Sequence, residues 1–338
     1  MFFRRKNRSA SPVVEKQPTA DIPTDYGEAL SKAVVRFYSP ATLCFDKLRV
    51  EVGMGLDCPP LPPVKWMTES IACGLAIDIG PSYQRVNSSD LDGWGVSFDQ
   101  MLEQVAQQRR STGVEAVTLD GMAMVHDETG GPCLWVCPDL AEAIVGGRPV
   151  MVGQRRTCTI LGREDDLKAL EHMASFCRTA LDGDEWVESV TPTRWTGSQW
   201  ESMTWEELGV SHDASHAITA LYDSANYGRV RPVLKQWYES RRECPIIPSF
   251  STYSNAEQKM SMATSILAGD TRDYVIPKAD RVAFTNSRGE IKVTVLWDVA
   301  LEHCEMTPVG LSPEWYRVGS IPSYAELVCI GSVSEPDA

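Results

Sequence analysis

Two histidines stand four residues apart in His212-Asp213-Ala214-Ser215-His216. On a helix that spacing puts both rings on one face, where they can share a metal ion, and the acid after the first His takes the place of the Glu in zinc peptidases. Asp213 is a methylene shorter than that Glu, so its carboxylate reaches less far toward a metal-bound water. With Ala214 set at zero and about 100° per residue, Ala217, Ile218 and Leu221 fall within about 60° of it. His212, His216, Thr219 and Asp223 fall on the opposite side, at about 140–200°. That face offers His212, His216 and Asp223 as metal ligands, with Asp213 or a nearby Glu as base, and so outlines a metal-dependent hydrolase. It is equally the pattern of a solvated face on an ordinary amphipathic helix.

Other reactive types are less well arranged. Cys133 and Cys137 have C-x-x-x-C spacing, which is neither the redox nor the zinc-knuckle C-x-x-C, and Leu134, Trp135 and Val136 between them point to core. No Ser sits in a G-x-S-x-G elbow, and Gly130-Gly131 and Gly146-Gly147 lack the spacing and the Lys of a phosphate loop. Arg229, Arg231, Lys235, Arg241 and Arg242 form a basic stretch, but Trp237 and Tyr238 fall on the apolar stripe of the same helix, not on a base-stacking surface. These absences imply no cofactor.

The bulk properties exclude several classes. The 338 residues, 43% hydrophobic, suffice for one large core or two ordinary ones. A net charge of −14 opposes nucleic acid as a partner, since neutralising phosphates requires positive potential. Arg4, Arg5, Lys6 and Arg8 are followed by no apolar stretch of a secretory signal, and no window is apolar enough to span a membrane. The ten cysteines are therefore expected as free thiols in a cytoplasmic protein.

The elements that must position these residues read as follows. Residues 1–24 read as a disordered, basic-to-polar tail. Asp25 and Glu28 cap a helix carrying Leu30, Ala33, Val34 and Phe37 up to Pro40, a strand covers 47–52, and Cys58 to Pro63 is an extended connection. A buried strand spans 72–79. Ser97 and Gln100 box a helix whose stripe is Met101, Leu102, Val105 and Ala106, and Asp120-Gly121 turns a hairpin. The run 133–145 is helical in its second half. Strands at 150–153 and 157–161 precede a helix with Leu167, Leu170, Met173, Ala174, Cys177 and Leu181 on one side. Residues 184–203 read as a linker.

Beyond it, Thr204 and Glu207 cap a short helix, Ala214 to Leu221 line a second, and Pro232 begins a third with Val233, Leu234, Trp237 and Tyr238. Ser254 and Glu257 cap a helix over Met260, Ala263, Ile266 and Leu267 that Gly269 ends. Strands at 281–285 and 290–297 bracket Asn286-Ser287-Arg288-Gly289, and 326–330 is a last strand. The pattern is α+β: two modules, 25–183 and 204–332, of antiparallel hairpins packed with helices.

Part of the first module carries a motif series. It runs Asp92-Gly93-Trp94-Gly95-Val96-Ser97, Cys137-Pro138-Asp139-Leu140, Gly147-Arg148-Pro149-Val150-Met151-Val152-Gly153, and Thr159-Ile160-Leu161-Gly162-Arg163-Glu164-Asp165-Asp166-Leu167. Residues 92–181 thereby resemble the YtpQ-like family of uncharacterised bacterial proteins. The resemblance implies a bacterial, cytoplasmic protein and brings no activity or site residues. With no catalytic set assembled, the expected role is non-catalytic: binding another protein, as a regulatory or accessory component, with the metal-dependent hydrolase as the alternative.

Overall fold

The computed structural model describes residues 22–55, 60–80, 82–126, 130–155, 158–183, 186–254 and 260–334. Most of the expected tail, and Cys58, Pro59, Thr157 and Glu257 of the expected connection, hairpin and capping box, lie outside the described residues.

The Asp25 carboxylate accepts from the Glu28 N–H at 2.8 Å and starts α1 (Tyr26–Ser31) as expected. The helix does not reach Phe37. Val34 and Phe37 belong to β1 (Ala33–Tyr38), which is buried along five consecutive residues. A strand covered on both faces is apolar throughout, so its run also satisfies helical spacing, and pairing decides between the two. Pro40 is likewise a start and not a stop. It is the first residue of α2 (Pro40–Met54), capped by the Ser39 hydroxyl, and the expected strand at 47–52 is the interior of this helix.

β2 (Val64–Trp66), β3 (Ala72–Asp78) and β4 (Tyr83–Arg85) complete the first sheet, in which β3 pairs antiparallel with β1 along its length. Then come α3 (Ser88–Trp94) and α4 (Phe98–Thr112). The latter opens on the reciprocal Ser97–Gln100 hydrogen bonds and buries Met101, Leu102, Val105 and Ala106, the expected stripe. β5 (Val117–Leu119) and β6 (Met122–Val125) form the expected hairpin, with Asp120 and Gly121 both in left-handed conformation (φ 49° and 82°), as a primed two-residue turn requires. α5 (Gly130–Cys133) and α6 (Pro138–Val145) lead to β7 (Pro149–Arg155), β8 (Cys158–Arg163) and α7 (Leu167–Leu181).

The segment expected to link the modules contributes β9 (Thr193–Trp195) and β10 (Trp200–Ser202). They extend a six-stranded sheet of order β10-β9-β7-β8-β6-β5. Irregularly spaced Trp residues hid them: Trp200 packs on Trp195 (5.2 Å between ring centroids) and donates to the Trp135 carbonyl at 2.8 Å. Thr204 and Glu207 exchange the expected capping bonds, yet only a turn follows.

The two expected helices beyond this turn are one, α8 (His212–Ser240), with Pro232 inside its 29 residues. Its first half seats Ile218 in the core formed with α7, β7 and β8, while Tyr227, Val230 and Leu234 enter the core of the C-terminal module. A single rod of ~43 Å thus serves both cores. The solvent-exposed position of Pro232 lets its ring and its missing N–H be tolerated.

The C-terminal module holds β11 (Phe250–Ser254), β12 (Met260–Leu267), β13 (Tyr274–Pro277), β14 (Arg281–Thr285), β15 (Ile291–Leu296), α9 (Trp297–His303), β16 (Met306–Pro308), β17 (Trp315–Val318) and α10 (Tyr324–Ser334). Its sheets run β11-β12-β14-β15 and β13-β17-β16. Two expectations invert here. Residues 260–267 are strand, because Met262, Thr264 and Ile266 alternate inward between two flanking strands. Residues 326–330 are helix, within α10. The hairpin at 281–297 stands as expected. The fold is α+β, with β12–β14 the one parallel ladder among the described strands. No described helix is long and apolar enough to cross a membrane.

Pro232→Ala restores a donor for the Gly228 carbonyl and removes a ring clash. It is expected to raise stability by ~1–3 kcal/mol, read as a higher urea midpoint at unchanged slope.

Candidate functional site

α8 carries all three metal-ligand candidates, and the structure does not bring them together. His212 lies in its first turn, with Nδ1 2.9 Å from Glu206 Oε2 and a side chain 72% exposed. His216 stacks beneath it (centroids 6.2 Å, 12° between planes), and its Nε2 is 3.5 Å from Asp280 Oδ2. Asp223 is seven residues further, about 10 Å along the axis, too far to share an ion with His216. Among the described residues no group of three His, Cys, Asp or Glu is placed to hold a metal.

The polar face therefore divides. Its His212 end is open to solvent, whereas its Asp223 end forms a wall of a cavity of about 470 Å³, roughly the size of a small-molecule site. Both modules build that cavity. Pro40 and Ala41 at the start of α2, with Ser70, Ser189 and Thr191, come from the N-terminal side. Thr219, Tyr222, Asp223, Asn226 and Tyr227 come from α8, and Lys278, Asp280 and Glu314 from the β13–β14 and β16–β17 loops.

The geometry of these walls follows from local bonds. Asp280 accepts the Met262 N–H at 2.7 Å, which fixes its carboxylate beside β12. Lys278 Nζ pairs with Glu314 Oε2 at 2.6 Å. The Tyr222 hydroxyl donates to the Glu188 carbonyl at 2.5 Å and the Tyr227 hydroxyl to the Glu314 carbonyl at 2.9 Å, so both phenol protons are engaged by the backbone. Burial pushes the Tyr222 phenol up to about 12.

Two groups stand apart. Asp223 has no hydrogen-bond donor among the described residues, and burial, reinforced by Asp280 and Glu314 against the opposing Lys278, raises its carboxyl to about 7. Asn226 is 2% exposed. Arg229 donates to its Oδ1 at 3.2 Å, which fixes the amide's orientation and leaves Nδ2 without a well-formed hydrogen bond, although the Tyr222 hydroxyl is near. A buried amide donor left unpaired costs ~1–3 kcal/mol, a cost that an acceptor in the cavity removes.

Many polar groups in the other regions singled out are already paired, although Thr159, Thr264 and Trp315 also bury a side-chain polar atom without a hydrogen bond. A larger open groove of about 770 Å³ beside α1 and α4 has Lys32 bonded to Glu28 (2.7 Å) and Asp78 to the Gly80 N–H (2.8 Å). Three residues of the basic stretch turn inward while Lys235 and Arg242 stay exposed: Arg229 lies over Trp186 (3.3 Å to the ring centroid), Arg231 donates to the Ile247 carbonyl, and Arg241 to Glu51. Cys133 and Cys137 are buried, and burial pushes the Cys137 thiol up to about 12, which removes the thiolate that redox chemistry needs. The nine described cysteines are free thiols.

Asn226, Asp280, Glu314 and Lys278 were not among the sequence candidates. Asn226 did carry a signal: Ile218, Tyr222, Asn226, Val230, Leu234 and Tyr238 recur at spacing four, and Asn226 is the amide in an otherwise apolar or aromatic row. Splitting the helix at Pro232 concealed the row. No family model matches the chain, and no curated protein or solved structure matches it.

The folded state keeps the Asp223 proton to higher pH than the unfolded chain does. Stability from this group therefore falls as pH rises from ~4 to about 7 and is flat above. Asp223→Asn is expected to flatten that slope and, at pH 8, to exceed wild type by ~1–3 kcal/mol in urea unfolding.

Proposed function

We propose that this is a non-catalytic binding protein, a regulatory or accessory component of the bacterial cytoplasm, whose ligand occupies the cavity at the junction of its two modules. The observation that carries the reading is the pair on α8: a carboxyl without a donor among the described residues and a buried amide without a well-formed hydrogen bond, one helical turn apart in one cavity wall.

Three further points support it. The cavity has the volume of a small-molecule site. Its phenols donate to backbone carbonyls, which leaves recognition and not nucleophilic chemistry as their role. Its walls come from both modules, so an occupant adds contacts that only the assembled pair offers and favours one arrangement of the modules. A protein partner that reads this arrangement would then sense the ligand. The Asp92–Ser97, Cys137–Leu140, Gly147–Gly153 and Thr159–Leu167 motifs support kinship of residues 92–181 with the YtpQ-like proteins.

The test is a thermal-shift screen with amines, sugars, nucleosides and carboxylates, run on wild type and on Thr219→Trp, where an indole on an exposed lining position fills the mouth of the cavity. At least one chemical class is expected to raise Tm of the wild type, an effect of ~2.7 kcal/mol at a hundred times Kd, and to leave the variant unmoved. Shifts that are absent, or equal in the two proteins, defeat the proposal.

A further inference from the structure

Resting on that reading, we infer that the junction cavity selects a small organic cation: a primary amine that also carries a hydrogen-bond acceptor about one helical turn from its nitrogen.

The charge sets the first requirement. Glu69, Asp223, Asp280 and Glu314 line the cavity against the single cation Lys278, which Glu314 already engages at 2.6 Å. An anionic ligand would meet this excess of carboxylates without a free cation in the wall, and like charges brought together in a partly desolvated site repel strongly. An ammonium between Asp223 and Asp280 supplies the N–H donors that Asp223 lacks and relieves the repulsion between the two acids. A metal ion meets the charge but not the geometry. Hard divalent ions take about six or more oxygens at roughly 2.0–2.6 Å, and among the described residues no three candidate ligands converge.

The second requirement comes from Asn226, whose buried Nδ2 is a donor and asks for an acceptor. Residues three apart on a helix have Cβ atoms about 5–6 Å from each other, so the acceptor must lie about that far from the ammonium. A four-carbon amino alcohol, an amino sugar through a non-adjacent hydroxyl, and an amide carrying a side-chain amine can each span about this separation, whereas simple monoamines have only the first group. A site of about 470 Å³ is large enough for any of them.

The groups facing Asp223 also determine how binding responds to pH. They are Asp280 and Lys278 from one loop, Glu314 from the other, Glu69 across the cavity, and Tyr222 and Tyr227 on its own helix, with His216 beside Asp280. A bound ammonium favours the ionised carboxyl, so binding releases the Asp223 proton and tightens as pH rises toward 7 and above.

The test is titration calorimetry on the full chain with an amine panel (4-aminobutanol, glucosamine, lysinamide), neutral counterparts (1,4-butanediol, glucose), succinate, and magnesium chloride. The expected result is binding by at least one amine, weakened ten-fold or more in its neutral counterpart and in Asp223→Asn, and tighter at pH 8 than at pH 5.5. The inference is overturned if no amine binds, if a neutral counterpart or succinate binds equally well, or if magnesium alone binds the wild type and not Asp223→Asn. A neutral or anionic compound that binds wild type but not Thr219→Trp would sink the cation and leave the binding role standing. Silence from every compound in the panel and in the thermal screen would sink both.

Discussion

Glu188 has no exposed surface, and its carboxylate accepts from the Thr42 hydroxyl at 2.5 Å, one turn into α2. A charge removed from water to this extent costs several kcal/mol unless donors and positive potential surround it. The Thr42 hydroxyl, the positive end of α2 and the nearby Arg85 supply them. The residue is anchored from its backbone too: its N–H donates to the Gln154 carbonyl at 2.8 Å, and its own carbonyl accepts from Tyr222. Three segments far apart in the chain, namely the start of α2, the end of β7 and the middle of α8, are thus held at one point.

Much of the junction follows from that point. Once Tyr222 is fixed, Asp223 and Asn226 are carried on the same helix to the cavity wall, and Ser189 and Thr191, just after Glu188, become the facing wall. Further along, Glu51 of α2 accepts from both Trp237 of α8 and Arg241 at its C-cap, at 2.6 and 2.7 Å. Burial alone would raise the Glu51 carboxyl, but those two bonds hold it below its ordinary value. The two helices are therefore pinned at both ends of their contact. The cavity between them and the C-terminal loops is a consequence of rigid parts meeting, and its two unpaired groups are the places where that meeting leaves chemistry unfinished.

Several elements were legible because local physics decides them. The Ser97–Gln100 capping box, the Asp120-Gly121 turn and the apolar stripe of α7 each rest on residues within a few positions of one another. The inversions share a different cause. β1 and β12 are strands covered by neighbours, and the apolar positions that made them read as helix are those a strand needs when both faces are buried or when it alternates against flanking strands. Pro232 misled in the opposite sense. It is a helix-start residue by preference, but packing in two cores holds α8 continuous through it.

The sequence by itself determined the α+β class and the polar face of α8 with His212, His216 and Asp223 on it, since periodicity and side-chain type are local properties. It did not determine what that face meets. Asp280 beside His216, Glu314 across from Asp223, and the burial that lifts the Asp223 carboxyl all depend on loops 55 to 91 residues further along the chain. Only tertiary packing brings those groups together, because the field at a side chain is set by distance in space and by exclusion of water, neither of which is written in spacing along the chain.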